Sequence, residues 1–224
     1  MTCMPTAERR PGRPRYRPSS TTAAGRDQIL DAAAELFVEY GVGGTSTRMI
    51  AERVGVRQAS LYYHFAGKDE ILAELLSGSV RPSLEAVQAL VARVPGEVDP
   101  AAGLHALAVI DVRTLAASPH NVGTLYLLPE LRHERFDSFR AERTELRRIY
   151  GRLGAAAATA TVLALGEERL GELLMQLVEV VIQVRRERIL TTADEAAVAD
   201  SCLRLCGLDE EAVAAARAPA AALL

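Results

Sequence analysis

A short run of side chains between residues 58 and 68 carries the chemistry needed to bind a nucleic acid. Gln58 could pair with both hydrogen-bonding groups on an adenine edge, and Ala59 could contact a thymine methyl group. The hydroxyls of Tyr62 and Tyr63 can donate to phosphate oxygens, which positions a protein on DNA without specifying a base. Lys68 is the single lysine among 26 basic residues and lies at the end of the run. These residue types predict a DNA-contacting surface.

Short helices separated by glycines are expected to position these side chains. Apolar residues recur at helical spacing through this part of the chain, and caps and glycines mark the helix ends. The predicted helices run from Arg26 to Gly41, from Thr45 or Ser46 to Gly55, from Arg57 to about His64, and from Lys68 to a break or kink at Pro82. The second and third form a helix-turn-helix packed on the first.

This pattern resembles the DNA-binding head of the tetracycline-repressor (TetR) family. The matching segments within residues 26–76 are ILDAAAELFVEYG, TSTRMIAERVGV and QASLYYHFAGKDEIL. The resemblance implies a homodimeric, ligand-responsive transcriptional regulator, usually a repressor, that binds double-stranded DNA at a palindromic operator. It also places the family's DNA contacts on Thr47, Arg48, Gln58, Ala59, Ser60, Tyr62, Tyr63, His64 and Lys68. For His64, direct DNA contact and a purely local role at the helix C-terminus are equally compatible with the sequence.

The first 25 residues are predicted to be a flexible basic arm. The chain has a net charge of −3, yet residues 1–26 hold six arginines and one glutamate. The segment Pro11-Gly12-Arg13-Pro14-Arg15 is similar to the core of a minor-groove AT-hook, so Arg13 and Arg15 could enter an A·T-rich minor groove. A solvated basic tail without that role is an equal alternative.

Composition favours an all-α protein, and the sequence contains no recognisable catalytic motif. Apolar residues make up 49% of 224, and long β-branched runs are rare. Gly41–Gly44 lacks the Gly-Lys-Ser/Thr of a phosphate loop, and His133-Glu134 lacks the second histidine of a zinc protease motif. The cysteines and histidines show no zinc spacing. We therefore expect no enzyme activity, no metal and no cofactor.

The same sequence features predict a cytoplasmic location. The three cysteines form no C-x-x-C motif and fit a reducing compartment. The N-terminus lacks the apolar region of a secretory signal, and the apolar stretches are too short to span a membrane. No membrane partner is expected.

The predicted domains are a helix-turn-helix head at residues 26–67, an all-α effector-binding and dimerisation body at 68–208, and a frayed tail at 209–224. Glycines and prolines, including Gly151 with Gly154, are predicted to separate the helices of the body. Apolar stripes near residues 173–182 and 193–206 favour a four-helix dimer interface over an internal core. Its predicted members are Leu173, Leu177, Val181, Val198 and Leu205.

The predicted effector is an unidentified small molecule, largely apolar by default, that releases the DNA. Residues 101–117 are apolar on nearly all sides, which predicts a buried central helix whose polar residues need partners or line a pocket. The candidate ligand-binding residues are His105, Asp111, Arg113, Thr114, Tyr126, Phe136, Phe139, Met175 and Gln176, while Arg113 or Arg132 could meet a carboxylate or phosphate. The alternative is a constitutive DNA-binding regulator whose body binds a protein partner.

Overall fold

The computed structural model describes residues 22–91 and 98–224, and every regular element in those residues is helical. The predicted all-α fold is confirmed. Three 3-10 turns, at Val122–Leu125, Pro129–Arg132 and Glu134–Phe136, precede the seventh helix. The α-helices are α1 Thr22–Gly44, α2 Thr47–Val54, α3 Gln58–His64, α4 Lys68–Gly78, α5 Arg81–Val91, α6 Pro100–Ala117, α7 Asp137–Ala157, α8 Ala160–Leu163, α9 Glu167–Glu187, α10 Thr192–Leu205 and α11 Glu210–Ala221.

Helices α1 to α3 form the predicted head, and local signals determine where they end. Gly41 interrupts the helical geometry of α1 with a φ of 75°, and Gly55 ends α2 with a φ of 79°, values that glycine adopts without strain. The Ser46 side chain caps α2 by accepting from the Met49 amide. The Thr45 hydroxyl instead donates to the carbonyls of Leu36 and Gly41, so it holds the turn and does not cap the helix.

The body is built around α6, which is buried along most of its length as the sequence predicts. Helix α7 runs unbroken through Gly151 and Gly154, so the prediction that these glycines separate helices is wrong. A Cβ atom at Gly151 would collide with the Glu167 carbonyl oxygen of α9, and one at Gly171 would collide with the Arg147 carbonyl. These glycines therefore permit α7 and α9 to pack at close range.

Both predicted terminal boundaries differ from the structure. Helix α1 begins at Thr22, four residues before Arg26, so the last residues assigned to the arm are helical. Residues 210–221 form α11 in place of a frayed tail, because Asp209 caps the helix and Val213, Ala216 and Ala220 are buried. Arg13 and Arg15 lie outside the described residues.

In the part of the chain that the structure describes, no helix is both long enough and apolar enough to cross a bilayer.

Candidate DNA-binding surface and ligand groove

Helix α3 presents one apolar and one polar face. Leu61 is fully buried in the head, and Phe65, which follows the helix, is 1% exposed. The opposite face leaves Gln58 and Ser60 exposed, and Tyr63 is 79% exposed. This is the arrangement of a helix that packs against its own domain on one side and offers the other side to a groove.

A small hydrogen-bond network connects α3 to the start of α2. The Gln58 amide nitrogen donates to the Thr47 hydroxyl at 2.9 Å, and that hydroxyl lies 3.2 Å from the Tyr62 hydroxyl. The side-chain oxygen of Gln58 and its second amide hydrogen remain available for an adenine edge. The network therefore orients Gln58 before any DNA arrives.

Arg48 and Lys68 already have partners in the head. Arg48 pairs with Glu52 one turn along α2, at 2.8 Å, and remains exposed. The Lys68 ammonium donates to the carbonyls of Val42 at 2.8 Å and Thr45 at 3.3 Å. Two of its three hydrogens thus stabilise the turn between α1 and α2, which explains a cation in the first turn of α4.

His64 is half-buried at the end of α3. Its ring packs edge-on against Tyr63 with 5.3 Å between centroids, and it lies next to Gly25 near the start of α1. The first turns of α1 therefore lie close to the C-terminal end of α3.

Arg57 is a candidate DNA contact that was missing from the sequence prediction. It occupies the N-cap position of α3, is exposed and makes no side-chain cap hydrogen bond. The sequence signal is an arginine where serine, threonine or aspartate usually caps a helix.

A groove of about 960 Å³ lies in the body between the turns at residues 126–132, helix α7 and helix α9. It brings together four of the predicted ligand-binding residues, Tyr126, Phe139, Met175 and Gln176, together with Arg132. It is larger than the groove that contains Arg113 and Thr114, and its walls combine aromatic, aliphatic and guanidinium groups.

Arg143 lies at the base of this groove. Its guanidinium is 4.5 Å from the centre of the Tyr126 ring and 5.9 Å from that of Phe139, and it pairs with Glu179 at 2.7 Å. The Tyr126 hydroxyl is 2.7 Å from the Ser79 hydroxyl, directly after α4, and burial raises the pKa of Tyr126. Phe139, Arg143 and Arg147 follow one another at intervals of four residues, which places them on one face of a helix. This spacing is the sequence pattern that could have indicated these arginines.

The other predicted ligand residues lie elsewhere. Arg113 and Thr114 line a second groove of about 580 Å³ between head and body. Asp111 is buried among Ser83 and Tyr150, and Phe136 is 2% exposed; neither lines either groove. His105 lies 3.3 Å from Asp200, and burial lowers its pKa.

Comparison with known proteins agrees with this geometry. Residues 29–75 match the model of the bacterial regulatory proteins of the tetR family. Mycobacterium smegmatis AmtR, whose structure has been solved, is 45% identical in sequence to this chain. The two superimpose over 94% of this chain and 97% of AmtR, with a TM-score of 0.77. The chain belongs to the tetR family.

Two further proteins are less similar to this chain. The transcriptional repressor KstR2 of Rhodococcus jostii (strain RHA1) is 33% identical over 129 residues, which cover 56% of this chain and 61% of that relative. The chain thus matches under two thirds of the length of this curated relative. AibR, solved in complex with isovaleryl coenzyme A and operator DNA, is 18% identical, covers 80% of this chain and 96% of its own, and shares the fold with a TM-score of 0.61.

The dimer residues predicted for this tetR-family protein divide into two groups. Val181 and Val198 are 1% and 9% exposed and pack in the protomer's own core, so they offer no surface to a partner. Leu177 and Leu205 are half-buried, and Leu173 is 40% exposed. The exposed apolar surface of α9 and the segment before it comprises Leu163, Leu165, Leu173 and Val180.

Two substitutions at Lys68 are expected to separate its structural role from its charge. Lys68→Gln keeps an amide donor near the Val42 carbonyl but removes the charge, so the slope of log affinity against log salt should fall by ~0.9 per subunit for every DNA sequence. Lys68→Ala should cause the same change in slope and also lower the free energy of unfolding by ~1–3 kcal/mol. Fluorescence anisotropy at several salt concentrations and urea unfolding measure the two effects. A change in base preference would contradict a phosphate contact.

Proposed function

We propose that this protein is a ligand-responsive repressor that binds a palindromic operator as a homodimer and is released by a small-molecule effector. The observation that carries the proposal is the exposed polar face of α3, where the Thr47 network orients Gln58. This side-chain arrangement would present Gln58 to a base edge in the major groove. The relatives named above are regulators, which supports regulation over enzymatic activity.

Base and phosphate contacts are assigned to different residues of α2, α3 and the start of α4. Gln58, Ala59 and Ser60 at the start of α3 contact base edges in the major groove. Phosphates are contacted by six side chains, Thr47, Arg48, Tyr62, Tyr63, His64 and Lys68. Arg13 and Arg15 precede α1, whose first turns lie beside the end of α3, and they are assigned the minor-groove contacts.

The dimer forms through α9 and α10. Leu173 and Val180 are exposed on α9, and Leu177 lies between them, so the helix offers a continuous apolar stripe. Such a stripe is suited to an isologous two-fold interface, and two protomers then place their α3 helices in successive major grooves. The body, from α4 to α11, thus has both the dimer surface and the effector site.

The effector acts through the contacts between body and head. Tyr126 lines the larger groove, and its hydroxyl contacts that of Ser79, directly after α4. Helix α4 is also held by two ion pairs. Asp69 pairs with Arg135 of the body, and Glu74 pairs with Arg26 of α1. A ligand that moves Tyr126 therefore changes the position of α4 relative to the head. Because the coupling is reciprocal, effector and operator must weaken each other by the same factor.

The test is selection of bound fragments from the source genome, followed by anisotropy titration of the selected fragment at two salt concentrations. A palindromic site bound by two subunits supports the proposal. The functions of the neighbouring genes then suggest which compounds to test in release assays. Equal binding to all fragments, lost at high salt, would contradict operator recognition. A specific site that no small molecule affects would instead support a constitutive regulator with a protein partner.

A further inference from the structure

We propose that the groove between α7 and α9 binds an organic anion, an apolar group that carries a carboxylate or a phosphate. The inference rests on the proposed function, because it specifies the chemistry of the effector. It also narrows the largely apolar compound expected from the sequence to one that carries a negative charge. Two features of the groove support this inference independently: its excess of arginines and its apolar surface.

The charges in the groove are unbalanced toward positive. Five arginines line it with a single glutamate, and two of them, Arg140 and Arg143, pair with Asp137 and Glu179 outside the lining, which leaves Arg132, Arg147 and Arg169 with Glu172. Arg147 and Arg169 share Glu172, at 4.0 and 3.4 Å, so one carboxylate faces two guanidinium groups. Within the described residues, Arg132 makes no ion pair at all. Guanidinium groups bind carboxylates and phosphates through paired hydrogen bonds, so this surplus selects an anion.

Beside these cations lies apolar surface that would suit the rest of the ligand. Phe139 and Met175 form a floor that is 3% and 5% exposed, and Leu131 adjoins them at 5%. Leu127, outside the dimer stripe, is 94% exposed at the rim. Covering this leucine with an apolar group would stabilise a complex that a bare anion could not form.

The second groove does not have this character. Arg113 and Glu74 are its charged residues, one of each sign, so it has no surplus of positive charge. Arg140 of the larger groove donates to the carbonyls of Leu131 and His133 and pairs with Asp137, and Arg143 pairs with Glu179. Arg132, Arg147 and Arg169 are therefore the side chains that bind the anionic group.

A matched pair of fluorescent probes tests the inference without DNA. The probes are 1-anilinonaphthalene-8-sulfonate, an apolar anion, and its uncharged parent N-phenyl-1-naphthylamine. The full chain is compared with Arg147→Gln/Arg169→Gln and with a control, Arg53→Gln/Arg186→Gln, which removes the same charge outside the groove. Circular dichroism verifies that each variant is folded.

The groove variant should bind the sulfonate about tenfold more weakly or worse, with affinity for the uncharged parent unchanged within about twofold. The control variant should bind both probes like the wild type. Sulfonate binding no tighter than that of the parent, or an equal loss in the control, would overturn the inference.

Displacement of the bound dye defines the anionic group. Octanoate and octyl phosphate should displace it at concentrations at least about tenfold below those needed with octanol or inorganic phosphate. Stronger displacement by one of the two anions identifies carboxylate or phosphate. Octanol as effective as both would refute an anion site.

Failure of the inference and failure of the proposed function give different results. If the groove prefers anions but no anion changes operator affinity, the site exists and ligand-responsive release is wrong. If the groove shows no preference while a neutral compound releases the operator, the regulator is correct and the anionic effector is wrong.

Discussion

Replacing Gln58 by alanine is expected to reduce operator affinity by ~2–6 kcal/mol for the dimer, because each bidentate amide–adenine pair contributes ~1–3 kcal/mol and a palindrome contains two. The loss should be restricted to the adenine position in each half-site. On DNA altered at that position, wild type and variant should bind alike. Anisotropy titration on single-base variants of the selected operator at fixed salt measures both effects.

Thr47→Val is the matched control for Gln58. Valine keeps the shape of threonine but removes the hydroxyl that accepts from Gln58 at 2.9 Å. We expect a smaller loss with the same base preference, since Gln58 can still reach the adenine but is no longer held in place. A uniform loss for Gln58→Ala across all base variants would mean that Gln58 contacts only the backbone.

Asp111→Asn is expected to stabilise the fold at pH 8 by up to about 3 kcal/mol. Asp111 is buried on α6 and accepts from the Ser83 hydroxyl at 2.8 Å and the Tyr150 hydroxyl at 3.0 Å. Burial raises its pKa from 3.8 to about 6. Burial, with Asp111 beside it, also raises the pKa of Tyr150, so that phenol remains a donor.

The direction of the pH dependence follows from the raised pKa of Asp111. Between pH 3.8 and about 6 the folded protein binds more protons than the unfolded chain, so this group's contribution to stability falls as pH rises. Above pH 6 the folded state retains the full cost of a buried carboxylate, about 3 kcal/mol for this pKa difference. Asparagine has no such cost at any pH.

Urea unfolding from pH 4 to pH 8 measures the difference between wild type and Asp111→Asn. The advantage of the variant should be largest at pH 8 and shrink toward pH 4. Asp27→Asn, at an exposed position on α1, should change stability by less than about 0.5 kcal/mol throughout. A variant that is less stable at pH 8 would show that the ionised carboxylate is favourable where it lies.

The helices of the head could be predicted from the sequence alone. Gly41, Ser46 and Gly55 mark helix ends through backbone conformation and local hydrogen bonds, which depend on residues only a few positions apart. The polar face of α3 is likewise visible, since residues three and four apart lie on the same side of a helix. The assignment to the TetR family, from these same residues, is confirmed.

Contacts between distant parts of the chain were beyond that kind of prediction. Gly151 and Gly154 resemble helix ends until α9 is placed against α7, and the C-terminal residues resemble a tail until α11 packs in the core. Val181 and Val198 belong to apolar stripes, but only packing determined that they face inward.

The groove shows this division most clearly. Its arginines come from the turn at residue 132, from α7 and from α9, and helical spacing relates only the three on α7, Arg140, Arg143 and Arg147. Local rules determine which side chains share a face of one helix, and therefore the DNA-contacting surface. Only the packing of α7 against α9 decides which cations meet across a groove, because that depends on contacts between residues far apart in sequence.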